Sequence, residues 1–456
     1  DAAYTGDTSF CVTAEALAYR DLRLIGPRDT GPTGQPCHPS LDPTCTASTL
    51  RTWLTRVWRR PPSAGEIDRA TALFELALAE QATFDEAVSI VLRALLLSPN
   101  FLYRPEFSGG SPTRAEPVDH HSLATRLSYT LWGSTPDDEL LACAAAGALH
   151  TPEGPCGLNA QLDRLLASPR AAGFVERFVG QWLGIHDLPD RTSPDGAYLP
   201  VIGPDMQEET YAVFQEHLDR PDLPATDLLA APFTWLTPPL AAHYGVPFGG
   251  NTGHYRVSWG PGERLGLLGH ASILTATSTS ERTAPMRRAA WVLERLLCES
   301  VGAPPPGIPE LDHDAPVEEA FAAHAANPAC AGCHDRLDPI GLTLETFDEA
   351  GRLRPGHQAE PRTLPSGEVV HGPAELTRWL TQSEGWRQCL VASLATYALG
   401  RRVDPSEARR IEDWRSTAGG EAAPWRALVE AVLTSPSFTH RVAAPDVQAP
   451  DVEVSP

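Results

Sequence analysis

Cys330-Ala331-Gly332-Cys333-His334 places two thiols one helical turn apart with an imidazole directly behind them. This is the attachment pattern of a c-type haem, in which the thiols add to two vinyl groups and the histidine becomes the proximal iron ligand. A disulfide or half of a zinc site could use the two cysteines, but neither requires the adjacent histidine. No second C-x-x-C completes the four ligands that a structural zinc takes. The motif predicts one covalent haem c on Cys330 and Cys333, with His334 on the iron.

Working outward, the chain is long enough for two or three domains: 456 residues, 42 % hydrophobic and 21 % charged. Its 44 prolines and 36 glycines predict interrupted helices joined by long ordered loops. The net charge of −22 disfavours nucleic acid and anionic membrane as partners. All 36 basic residues are arginine, so lysine-dependent phosphate loops and Schiff-base chemistry are excluded.

The longest apolar run, Val88 to Leu97, contains Arg93 and is too short for a transmembrane segment. Asp1-Ala2-Ala3-Tyr4 reads as a processed N-terminus. Of the seven remaining cysteines, Cys37-Cys45 and Cys143-Cys156 pair as local disulfides. Cys298-Cys389 forms either a longer bridge or two buried thiols, and Cys11 is left over. Covalent haem and disulfides together predict a periplasmic or extracellular protein.

The periodicity predicts a mainly α, multi-helix fold with long Pro/Gly-rich loops, little β structure, and the haem segment in the C-terminal half. Helices are expected at Thr49–Trp58 and within Ser63–Leu97, the latter opened by a Ser63/Glu66 capping box. Further helices are expected at Ser122–Trp132, Asp137–Ala146, Leu158–Leu166, Ala171–Leu183, Pro204–His217 and Met286–Cys298. His254–Thr279 reads as short strands or extended loops. Val91–Arg104 and Leu428–Arg441 share a helix, a Ser-Pro stop, then Phe and Arg, which suggests a duplicated helical unit. The expected divisions are an irregular arm at 1–45, helical units at 46–110 and 373–445, a central helical domain at 111–250, a loop-rich haem region at 251–372, and an acidic, Pro-containing tail at 446–456.

The stretch from His324 through Cys330-Ala-Gly-Cys333-His334, Asp338-Pro339, Gly341, Glu345, Phe347-Asp348 and Gly351-Arg352 resembles a family of domain-of-unknown-function proteins of the DUF1592/DUF1588/DUF1585 type. These are CxxCH-bearing secreted proteins of myxobacteria and planctomycetes. Ser98–Arg104, Arg126–Trp132, Pro136–Leu140, Met206–Thr210, Arg264–Thr279, Arg282–Val292 and Tyr397–Arg401 resemble further family blocks in order. The resemblance covers roughly residues 46 to 441 and implies that residues 1–45 are a shortened or processed start. It identifies a family more than a function.

The sixth iron ligand separates electron transfer from catalysis. Met206 is the leading distal candidate, because the matching family block also begins with methionine. Met286, His324 and His270 are lesser ones. Backbone carbonyls around Asp338 and Pro339 are expected to accept the second N–H of His334. Arg352, at the family's arginine position, is expected to bind a haem propionate. Three functions remain open. One is a secreted mono-haem c-type cytochrome passing single electrons to a redox partner protein. The second is an extracellular haem enzyme of peroxidase or oxygenase type, and the third a self-assembling surface or filament protein carrying haem.

Overall fold

The computed structural model describes residues 43–106, 114–151, 153–191, 198–249, 253–260, 264–279, 282–302, 328–356, 359–403 and 407–442. At 43–45, 198–200 and 328–330 it describes the backbone alone. The fold is mainly helical with little strand, as the periodicity predicts. No helix among the described residues is long and apolar enough to cross a membrane. The described residues form two compact units, one drawn from 43–129, 134–161 and 442, the other from 130–133 and 162–441.

The first unit is built on α1 (Pro43–Trp58), α2 (Ala64–Ala79) and α3 (Phe84–Leu96), followed by the single turn α4 (Pro99–Leu102). The expected capping box opens α2: the Ser63 hydroxyl accepts from the Glu66 amide and the Glu66 carboxylate accepts from the Ser63 amide. Thr83 and Glu86 repeat the device at α3. The continuous Ser63–Leu97 periodicity is therefore two helices, split where Gln81 adopts φ +66°. Leu50, Leu54, Ile67, Phe74, Val91 and Leu95 converge in the core of this unit. α5 (His120–Trp132) and α6 (Asp138–Ala145) follow, and the Cys143–Cys156 disulfide closes the loop after α6.

The second unit contains the end of α7 (Leu158–Leu166), then α8 (Ala172–Leu183) and α9 (Tyr198–Asp219). Pro204 lies inside α9 rather than in its first turn, since the helix begins six residues earlier than the sequence suggests. Proline there forfeits one backbone bond, and burial of Ile202 and Met206 against Leu188, Leu236 and Leu240 offsets that loss. α10 (Asp227–Ala230), β1 (Phe233–Leu236), α11 (Pro238–Tyr244) and β2 (Tyr255–Ser258) come next, the strands pairing antiparallel with Phe233 opposite Ser258. The reading of 254–279 as extended holds for β2. It fails at α12 (Ala271–Ala276), a short helix that buries Ala271, Ser272, Ile273 and Leu274.

α13 (Pro285–Trp291) leads through a wider turn, Val292–Leu296, to Cys298, which is bridged to Cys389. The second unit continues with α14 (Pro328–Thr343), the hairpin β3 (Pro361–Thr363) and β4 (Val369–His371), then α15 (Pro373–Gln382) and α16 (Glu384–Leu399). It ends with α17 (Ala408–Ala418), α18 (Trp425–Thr434) and the turn α19 (Pro436–Thr439). Aromatic rings dominate its core: Phe178 stacks on Trp182 and on Trp425, and Trp182 stacks on Trp386. In both parallel segments of the sequence, a helix ends at Ser-Pro and the proline begins a four-residue turn, α4 in one and α19 in the other.

Candidate haem-attachment site

The C-A-G-C-H pentapeptide lies within α14, a helix rather than a loop. Helical spacing puts His334, Leu337, Gly341 and Leu344 along one face, and His334, Leu337 and Leu344 are buried. Gly341 makes this packing possible, because a Cβ there would stand 2.2 Å from the Pro285 carbonyl oxygen at the start of α13. Pro339 removes one helical N–H, and the Thr343 hydroxyl donates to its carbonyl at 2.6 Å.

The same spacing delivers the partner of His334. Nδ1 of His334 lies 2.9 Å and 3.0 Å from the two carboxylate oxygens of Asp338, one turn further along α14. The expected backbone acceptor around Asp338-Pro339 is thus replaced by the Asp338 side chain. The reason is that the helix continues through the motif, so position i+4 faces the ring. Burial pushes the Asp338 carboxyl up, and the bond from His334 pulls it back. Cys333 is an exposed free thiol, whereas Cys143, Cys156, Cys298 and Cys389 are all in disulfides. An accessible free thiol next to an oriented histidine supplies two of the three groups that C-x-x-C-H attachment of a haem uses. The side chain of Cys330, the Cys37-Cys45 pair and His324 lie outside the described residues.

Beyond α14 the chain is held by two buried arginines that residue chemistry alone did not single out. Arg288 donates to the carbonyls of Leu344, Phe347 and Asp348 and pairs with the Glu345 carboxylate at 3.2 Å. Burial brings its guanidinium down to about 10. Arg264 donates to the carbonyls of Gly269 and Gly351, with its guanidinium 3.8 Å from the centre of the Tyr244 ring. Gly351 has φ +75°, and a Cβ there would meet Ala271 Cα at 2.7 Å, so the turn requires glycine. Arg352 is half exposed, its guanidinium 4.0 Å from the Asp348 carboxylate. The only advance signal for Arg264 and Arg288 was their place in blocks resembling the family.

The distal candidates fall in different places. Met206 is fully buried in the apolar cluster of α9 and α11, with the Thr275 hydroxyl 3.9 Å from Sδ. Met286 is half-buried on α13, the helix that packs on α14. His270 is buried, its Nδ1 3.0 Å from the Thr210 hydroxyl, and burial lowers its pKa. It adjoins a polar network in which the buried Glu209 carboxylate accepts from Tyr244 and Thr234. Asp119 caps α5 by accepting from the His121 and Ser122 amides. Among the described residues no group of three His, Cys, Asp or Glu side chains could hold a metal ion.

Four family models match the chain, each described as a protein of unknown function. DUF1595 covers residues 45–106, DUF1592 residues 118–246, DUF1588 residues 264–357 and DUF1585 residues 366–438. No curated protein and no solved structure matches. The chain therefore carries, in the order DUF1595, DUF1592, DUF1588 and DUF1585, four cytochrome-c-associated domains of unknown function, with the C-A-G-C-H helix inside the third.

Proposed function

We propose that this protein is a mono-haem c-type cytochrome working outside the cytoplasm, exchanging single electrons with a redox partner protein. Cys330 and Cys333 would hold the haem, and His334, whose Nδ1 is engaged by Asp338, would offer its other ring nitrogen to the iron. When bound, the haem supplies a reversible one-electron couple, and the chain orients the proximal imidazole and shields it. The observation that carries the reading is the buried His334, fixed by Asp338, next to the free, exposed Cys333. Two disulfides elsewhere support an oxidising compartment, periplasmic or extracellular. The net charge of −22 favours a partner with a basic docking face.

The test is the absorption spectrum of the exported protein in both redox states. A low-spin ferric spectrum with a weak far-red sulfur-to-iron band supports electron transfer with a methionine on the distal side. Loss of that band in Met206→Ala or in Met286→Ala identifies the ligand. A high-spin ferric spectrum that responds to peroxide or cyanide overturns this reading in favour of a haem enzyme.

A further inference from the structure

The geometry points to Asp338 as the residue that sets the redox balance of the iron, through the electron-donating strength of His334. This rests on the haem reading above. The bond from His334 Nδ1 is built into one helix by i,i+4 spacing, and both carboxylate oxygens lie within 3.0 Å of the nitrogen. Side-chain exposure is 7 % for His334 and 18 % for Asp338, so water screens the pair weakly. Arg362 is the cation acting on Asp338, and Asp335 the nearby anion.

A carboxylate draws the imidazole proton more strongly than a neutral carbonyl does, because the bond is charge-assisted. The ring gains imidazolate character, becomes a stronger donor to the metal, and favours ferric over ferrous iron. Reduction adds one electron to iron and breaks no bond, and the proton stays between Nδ1 and Asp338. The matching electron donor is consequently a one-electron carrier more reducing than a carbonyl-partnered site would need.

The experiment is a spectroelectrochemical titration of the haem-bearing protein, comparing Asp338→Asn with Asp335→Asn. The first keeps a neutral acceptor at the same place. The second removes an equal charge from an exposed position on the same helix. At the midpoint potential of the unmutated protein, Asp338→Asn is expected to raise the reduced-to-oxidised ratio at least tenfold, equivalent to about 59 mV for one electron. Asp335→Asn is expected to change it less than about threefold. Equal shifts, or no shift in Asp338→Asn, would overturn the inference.

If Asp338→Asn fails to retain haem, the unmutated protein decides. In its diamagnetic ferrous form or carbon monoxide adduct, the His334 Nδ1 proton should resonate well downfield of an imidazole bonded to a carbonyl. A resonance at the carbonyl-bonded position overturns the inference. An unmutated protein without haem overturns the proposed function as well, whereas a coloured protein with equal shifts overturns this inference alone.

Discussion

Nη1 of Arg288 lies 3.2 Å from Oε1 of Glu345, and the Arg288 side chain is wholly sealed from water. The same guanidinium accounts for three carbonyls of the segment leaving α14. Removing one partner of such a pair strands the other charge in the interior. Arg288→Met is therefore expected to cost about 3–5 kcal/mol, and Glu345→Gln less, because Thr283 can still donate to the amide oxygen. Urea titration followed by far-UV circular dichroism measures both. A loss below about 1 kcal/mol for Arg288→Met would show that this ion pair does not hold the segment.

Acid should weaken the second unit at a defined place. Burial is the largest cause of His243 titrating down near about 4, against a reference of 6.5. Its Nε2–H donates to the Ala350 carbonyl at 2.8 Å. The unfolded chain takes up this proton near pH 6.5 while the folded one refuses it, so stability present above pH 6.5 is lost as pH falls toward 4. At about 1.36 kcal/mol per pKa unit, the contribution is at most about 3 kcal/mol. His217 and His270, also lowered by burial, act in the same direction. His243→Gln should flatten the stability profile between pH 6.5 and 4, and an unchanged slope would contradict the assignment.

Gly341 is expected to tolerate no side chain. In Gly341→Ala the new methyl meets backbone, the Pro285 carbonyl, so relief requires α13 and α14 to separate. The expected cost is about 1–3 kcal/mol by thermal or urea unfolding. A neutral substitution would show that the two helices are not held at this approach.

The two disulfides should differ in worth. Cys298–Cys389 spans 91 residues and Cys143–Cys156 spans 13. In the chain-entropy account the long bridge contributes about 4–5 kcal/mol and the short one about 3 kcal/mol. The double replacements Cys298→Ala with Cys389→Ala, and Cys143→Ala with Cys156→Ala, compared by urea unfolding, test that order. A larger loss from the short bridge would reverse it.

What the sequence revealed depended on whether the chemistry was local. Ser63 and Glu66 formed the capping box because both partners lie within four residues, and Thr83 with Glu86 carried the same pattern unread. The second cysteine pair, 91 residues apart, was one of two options until folding brought Cys298 and Cys389 together. The haem motif was legible as a motif, but the partner of His334 was misread. A loop would have offered a carbonyl, and the helix offered a carboxylate instead. Arg264 and Arg288 could not be told from the other arginines of a lysine-free chain, since only tertiary packing decides which are buried. Met206, singled out by pattern, lies buried in an apolar cluster, a setting its place in the sequence did not reveal.

The most direct test of the whole account is the intact mass of the exported protein, measured in denaturing acid after co-expression with a haem-attachment pathway. The account predicts bare polypeptide plus one haem, and bare polypeptide alone when Cys330 and Cys333 are both replaced by serine. A mass of bare polypeptide in the unmutated protein, with no colour after export, would contradict it.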